Sequence, residues 1–237
     1  MKIFPAIDLK NGEVVRLTEG DYNNKKTYST NPMEVLDFFI EEGSENLHIV
    51  DLDGARGGNT FNFKTIEKII KKCDLFTQVG GGIRNEETIK KYLDIGVGRV
   101  ILGTIAVENL DFLEKMINKY KKNIAVSVDA RDRMIAIKGW KEIKKEDSID
   151  FCKKLDDMGI ETIIYTDISK DGKLSGTNLN IYKELKNKVS CNIIASGGIT
   201  YEEEIIKLKE MNIDGAIVGK AIYEKKIDLK KIINISK

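Results

Sequence analysis

Two aspartates stand out among the residues equipped to do chemistry. Asp8 follows the apolar run Pro5-Ala-Ile, Asp129 follows Val126-Ser-Val, and a basic residue lies close behind each. Carboxyls at the ends of buried strands can divide acid and base work on one ligand when their surroundings separate their pKa values. The alternative is that each caps its loop or pairs with Lys10 or Arg131. A second set is made of glycines: Gly81-Gly82, Gly103, Gly197-Gly198 and Gly219. A glycine step between a strand and a helix leaves backbone N–H groups unshielded beside the positive end of a helix dipole. That is phosphate-binding chemistry. The same glycines could instead serve only to make tight turns.

Strands must deliver these residues to one face. Short β-branched runs predict strands at 3–9, 47–52, 75–79, 99–102, 124–128, 162–166, 192–195 and 215–218. They are apolar almost throughout, as strands covered on both faces must be. Helical periodicity predicts helices at 32–42, 62–72, 86–95, 110–120, 146–158, 179–188, 201–211 and 229–235. Gly43, Gly96, Gly159 and Asn212 follow helical runs where a left-handed closing residue is wanted. Asn31-Pro32 supplies a cap and a first-turn proline, and Thr200 with Glu203 has capping-box spacing. Eight βα units without a linker predict one α/β domain over 1–237, closed as a (β/α)8 TIM barrel. An open doubly wound sheet is the competing architecture.

A half-chain repeat favours the barrel. Val79-Gly-Gly-Gly-Ile-Arg84 resembles Ala195-Ser-Gly-Gly-Ile-Thr200 at an offset of 116 residues. Gly103 and Gly219 share that offset, as do Asp51 and Asp167, while Asp8 and Asp129 lie 121 apart. Half-barrel internal duplication sets like features opposite each other. It predicts two phosphate sites facing across the C-terminal rim, where activity sits in this fold, with the two acids between them.

Composition narrows the partners. Lys and Arg number 39 against 38 Asp and Glu, so no global field favours nucleic acid or a membrane surface. Cys73, Cys152 and Cys191 are far apart and His48 is the one histidine, which argues against a metal site or a disulfide framework. The start of the chain has a carboxylate at Asp8 where a secretory leader needs an apolar run, and no stretch approaches a membrane span. The expectation is a cytoplasmic protein. No GxGxxG follows the first strand and Gly215–Ala221 is an incomplete P-loop, so no dinucleotide cofactor is expected.

Other residues keep two readings. His48, early in the second predicted strand, reads as a core or layer residue facing away from the mouth. Trp140 either stacks on a planar ring as a lid or anchors the long segment 130–145. Arg16, Arg84 and Lys220 either meet anions or lie on the surface. Asp51 and Asp53 either orient loops or take part in binding.

Taken together, Phe4-Pro-Ala-Ile-Asp-Leu9, Gly12-Glu-Val-Val-Arg-Leu17, His48-Ile-Val-Asp-Leu-Asp-Gly-Ala55, Gly80-Gly-Gly-Ile-Arg84, Val128-Asp-Ala-Arg131 and Ser196-Gly-Gly-Ile199 resemble a known family. It is that of the aminoaldose isomerases of histidine biosynthesis, the phosphoribosylformimino-5-aminoimidazole carboxamide ribotide isomerases. The likeness runs to Gly219-Lys-Ala-Ile-Tyr223. It implies a duplicated (β/α)8 enzyme without metal or organic cofactor, and a small substrate carrying a phosphate at each end. No obligate protein partner is indicated. It further implies Asp8 as base, Asp129 as acid and Thr166 as a third active-site residue. Asp171 would lie in the loop after the sixth predicted strand, and Trp140 would stack on the substrate's ring. The reaction implied is an Amadori rearrangement.

Three rivals remain. The sister cyclase shares the barrel and paired aspartates, but its family usually has Cys where this chain has Ala6; Lys10 is the feature that keeps it in view. Phosphoribosylanthranilate isomerisation is the same rearrangement on another aglycone. A non-catalytic sugar-phosphate-binding module would bind without turnover.

Overall fold

The computed structural model describes residues 1–18, 20–58 and 60–237. Its strands are β1 (Lys2–Lys10), β2 (Glu13–Thr18), β3 (Asp21–Ser29), β4 (Asn46–Asp51), β5 (Phe76–Gly80), β6 (Arg99–Leu102), β7 (Ile124–Arg131), β8 (Met134–Ile137), β9 (Glu142–Asp147), β10 (Thr162–Asp167), β11 (Asn192–Ser196) and β12 (Gly215–Val218). Parallel pairing runs β1, β4, β5, β6, β7, β10, β11, β12, and β12 returns to β1 with Lys2 opposite Gly215. The sheet therefore closes, and the fold is the (β/α)8 TIM barrel expected from the sequence.

Alternation along each strand sorts the core. Phe4, Ala6, Ile101, Ala125, Ile164, Ile194 and Ile217 point inward and fill the barrel as their own apolar cluster. Their strand neighbours, among them Ile3, Ile7, Ile49, Val100, Ile163 and Ile193, pack outward with the helices. Both faces are covered, which is why the strands read as largely apolar runs.

Helix ends follow local chemistry. Asn31 Oδ1 accepts from the Met33 N–H at 3.1 Å ahead of the helix Pro32–Glu41. Gly43, Gly96, Gly159 and Asn212 all have positive φ just beyond a helix, as expected. Two expectations need correction. The helix predicted over 146–158 is Ser148–Asp157; Glu146 and Asp147 belong to β9, and Asp147 caps the helix by accepting from Ile149 and Asp150. The capping acid near Thr200 is Glu204, whose buried carboxylate accepts from the Thr200 and Tyr201 N–H groups at 2.8 and 2.9 Å; Glu203 does not fill this role. No helix among the described residues is long and apolar enough to cross a membrane.

Two features were not legible in advance. β1 continues past the rim into an antiparallel hairpin with β2, and β7 does the same with β8. Asp8 pairs with Val15 and Asp129 with Ala136, and both turns use two left-handed residues, Asn11-Gly12 and Asp132-Arg133. Every one of these positions repeats at an offset of 121, so the internal duplication extends to the hairpins that carry the two acids.

Candidate active site

One cavity opens at the C-terminal ends of the barrel strands, and all the residues singled out for the site line it. They are Asp8, Asp129, Thr166, Gly81, Gly82, Arg84, Gly103, Trp140, Asp171, Gly197, Gly198, Gly219 and Lys220. The two aspartates thus face a shared space, although their surroundings differ.

Asp8 has a cation. β2 carries Arg16 back beside β1, where Nη1 meets Asp8 Oδ2 at 2.7 Å and Nη2 donates to the Ala6 carbonyl. The guanidinium lies 5.2 Å from the Tyr223 ring centroid, and the Tyr223 hydroxyl donates to the same Ala6 carbonyl at 2.8 Å. Burial raises the Asp8 carboxyl above its ordinary value and Arg16 pulls against that rise. Arg16 therefore serves as the partner of Asp8, and Lys10 stands 5.3 Å over the Tyr22 ring.

Asp129 has neutral donors. Trp140 Nε1 donates to Oδ2 at 2.7 Å, Ser127 Oγ donates to Oδ1 at 2.8 Å, and the Thr166 hydroxyl bonds the same carboxylate from the neighbouring strand. Burial again raises the carboxyl, and only these hydrogen bonds oppose it. Trp140 makes its bond from a left-handed backbone, φ +68°, a conformation unfavourable for a bulky residue and concentrated at functional sites. Its ring also packs against Gly20 of the β2–β3 turn, so both hairpins meet over the mouth.

A third acid, Asp171, lies in the loop after β10 and is pushed up to about 6 by burial and by the charge of Asp8. Lys220 Nζ donates to the Gly172 carbonyl at 2.7 Å beside it. Arg84 is exposed at the rim and donates to the Ala55 carbonyl at 3.2 Å.

The glycine pairs have a packing reason as well as a chemical one. Gly81 and Gly197 have φ of +104° and +91°; a Cβ on Gly197 would lie 2.5 Å from the Asp167 carbonyl oxygen, and one on Gly81 would strike that of Asp51. Gly103 and Gly219 open the short helices Thr104–Glu108 and Lys220–Tyr223, whose first-turn N–H groups have no helical acceptor. These ends border the cavity from opposite halves.

Asp51 and Asp167 turn out to be matched loop clamps. Asp51 accepts from the Gly54 N–H at 2.9 Å and from Asn62 Nδ2 at 2.7 Å; Asp167 accepts from the Ser169 N–H at 3.0 Å and from Asn178 Nδ2 at 2.9 Å. Asn62 and Asn178 are again 116 apart, a repeat that the surrounding sequence hides. His48 also needs revision. It is buried, as expected, but it lines the cavity, and its Nδ1 is 3.0 Å from Gln78 Nε2.

The model of the family described as histidine biosynthesis protein matches residues 2–228. The chain belongs to that family. Within it, a protein of Brachyspira hyodysenteriae is 77% identical over 237 residues, covering 100% of both chains. One of Clostridium kluyveri is 51% identical over 99% of each chain, and one of Clostridioides difficile is 49% identical over 98% of this chain and 96% of its own. All three bear the name 1-(5-phosphoribosyl)-5-((5-phosphoribosylamino)methylideneamino) imidazole-4-carboxamide isomerase. As a histidine biosynthesis family member with such relatives, the chain is an isomerase of that pathway.

Proposed function

We propose that this chain converts the doubly phosphorylated aminoaldose named in its relatives into the corresponding aminoketose by an Amadori rearrangement. One observation carries the reading: two half-buried aspartates share a cavity, one held against a guanidinium and the other among neutral donors. The sequence is symmetric between them, and the structure is not. Asp8, with Arg16, is better placed to work as a carboxylate; Asp129, with no such partner, is better placed to keep a proton.

In the proposed cycle the Asp129 carboxyl protonates the ribose ring oxygen as the C1–O bond breaks and the nitrogen lone pair forms C1=N. Asp8 removes the C2 proton, and the C2–H electrons form C1=C2 while the C=N pair returns to nitrogen. The enolamine relaxes when Asp8 gives its proton to C1 and Asp129 takes the proton of the C2 hydroxyl. Both acids end as they began. Gly81-Gly82 with Gly103 would hold one phosphate and Gly197-Gly198 with Gly219 the other, leaving the ribose over the acids. Such fixed placement must supply what acid–base catalysis, typically about 10²–10⁴-fold, does not. Thr166 would orient Asp129, and Trp140 would stack on the aglycone. One domain in the cytoplasm, acting without cofactor, metal, nucleic acid or obligate partner, completes the proposal.

The test is a spectroscopic turnover assay of the purified chain on the aminoaldose and on phosphoribosylanthranilate. Conversion of the first supports the reading and also separates it from the cyclase. Binding of the aminoaldose without turnover would replace it with the binding-module alternative.

A further inference from the structure

Below the aspartates, the barrel interior holds a row of side chains whose hydrogen bonds can run in one direction only. β4, β5 and β6 set His48, Gln78 and Arg99 in register on neighbouring strands, and all three are buried. Arg99 Nη2 donates to Gln78 Oε1 at 2.7 Å and Nη1 donates to Thr162 Oγ1 at 2.8 Å. Its guanidinium lies 5.3 Å from the Phe76 ring centroid and 5.9 Å from that of Phe4. No carboxylate is paired with it among the described residues, and burial lowers its pKa to about 10.

A guanidinium has donors and no acceptor, so the Gln78 atom facing it must be the oxygen. That fixes the amide, whose nitrogen faces His48 Nδ1 at 3.0 Å. An amide nitrogen can only donate, so Nδ1 carries the lone pair and the ring proton sits on Nε2. Burial, with the charges of Arg16 and Arg99, pushes His48 down to about 3, so the ring is neutral at working pH. His48 lies one step beneath Asp8: Ala6 pairs with His48 where Asp8 pairs with Val50. The side chain borders the cavity, and its bond to Gln78 is its one hydrogen bond to the described residues.

We propose that His48 is a ligand-binding residue, a neutral imidazole whose Nε2–H donates from the floor of the cavity to an oxygen of the bound sugar. Gln78 and Arg99 are positioning residues that fix its tautomer. The assignment rests on the sugar-phosphate reading above and deepens it. As the C2 hydroxyl of the enolamine gives up its proton and becomes a carbonyl, negative charge builds on that oxygen, and a fixed donor there favours the transition state. A neutral ring does this without acting as a rival acid. The relay also gives a reason for an arginine without a counter-ion inside an apolar barrel: replacing it with an apolar residue would leave the Gln78 amide free to flip.

The chain has a single histidine, so labelling with 15N-histidine gives one imidazole to observe. In the wild-type protein the two nitrogen shifts should report Nε2–H and an unprotonated Nδ1 from pH 5 to 8. Adding ribose 5-phosphate should move the Nε2 resonance. Gln78→Glu places acceptors toward both Arg99 and His48, so the proton should move to Nδ1, with kcat/KM on the aminoaldose falling about tenfold or more. An Nδ1–H tautomer in the wild type would overturn the proposal. So would a flipped tautomer in Gln78→Glu with kcat/KM close to wild type. Should the Glu variant not fold, His48→Gln, whose amide can still donate, is expected to retain more kcat/KM than His48→Leu; equal losses would count against the donor role. If the wild type fails to turn over the aminoaldose, the functional reading falls by itself, and the ribose 5-phosphate shift then decides the role of His48.

Discussion

The guanidinium of Arg16, 2.7 Å from Asp8, sets the two catalytic candidates apart, and its effect is measurable as a pH profile. If Asp8 must be ionised and Asp129 protonated, kcat/KM falls as pH drops through the first pKa and as it rises through the second. Arg16 lowers the pKa of Asp8, so Arg16→Met should move the acid limb to higher pH. The Trp140 hydrogen bond lowers the pKa of Asp129, so Trp140→Phe should move the other limb, the alkaline one, upward. A pH–rate titration of both variants separates the roles: movement of the wrong limb in either would reverse the assignment of base and acid. Neither environment was readable from the chain, because Arg16 and Trp140 reach the acids only through hairpin turns.

At the level of elements, the loops stand on paired clamps. Asn62→Ala would remove donors to Asp51, Asp53 and Leu9 and leave buried acceptors short, a loss of about 1–3 kcal/mol in denaturant melts. Gly197→Ala should destabilise by more than about 1 kcal/mol, because left-handed φ disfavours a side chain and the Asp167 backbone blocks its Cβ. A melt unchanged by either substitution would show that the loops do not depend on these contacts. The eight barrel strands were legible because both their faces are apolar. β3 and β9 were not: residues 21–29 and 142–147 are mostly polar and none of their described side chains is buried, so nothing in their pattern separates strand from loop or helix. Lys-Lys-Glu-Asp at 144–147 is as compatible with a helix as with a strand, so periodicity alone starts the following helix two residues before Ser148. The one-turn helices at 104–108 and 220–223 are too short to show a period. Asn62 looked like a helix residue, but it precedes the helix and spends its side chain on Asp51.

Across the whole molecule, charges nearly cancel, yet several acids are gathered at the mouth of the barrel. Burial raises Asp8, Asp51, Asp129 and Asp171 alike. A carboxyl with a raised folded-state pKa binds its proton more tightly when folded, so its contribution is favourable at low pH and is lost as pH rises through that value. For Asp171 the window ends near 6. Asp171→Asn should therefore raise Tm at pH 8, by about 2–4 °C for each kcal/mol relieved, and by clearly less at pH 5, part-way between the ordinary value of 3.8 and the folded one. Calorimetry at the two pH values checks this, and a larger gain at pH 5 would contradict it. Function would then be maintained against stability, as is common where a site needs unfavourable charges.

The most direct measurement is the rate at which wild-type, Asp8→Asn and Asp129→Asn proteins convert the aminoaldose, each first shown by thermal melting to be folded. The expected result is turnover by the wild type and a loss of about 10²–10⁴-fold in each variant. Near wild-type turnover by a folded Asp8→Asn protein would contradict proton removal by that carboxylate, and with it the division of labour between the two halves of the barrel.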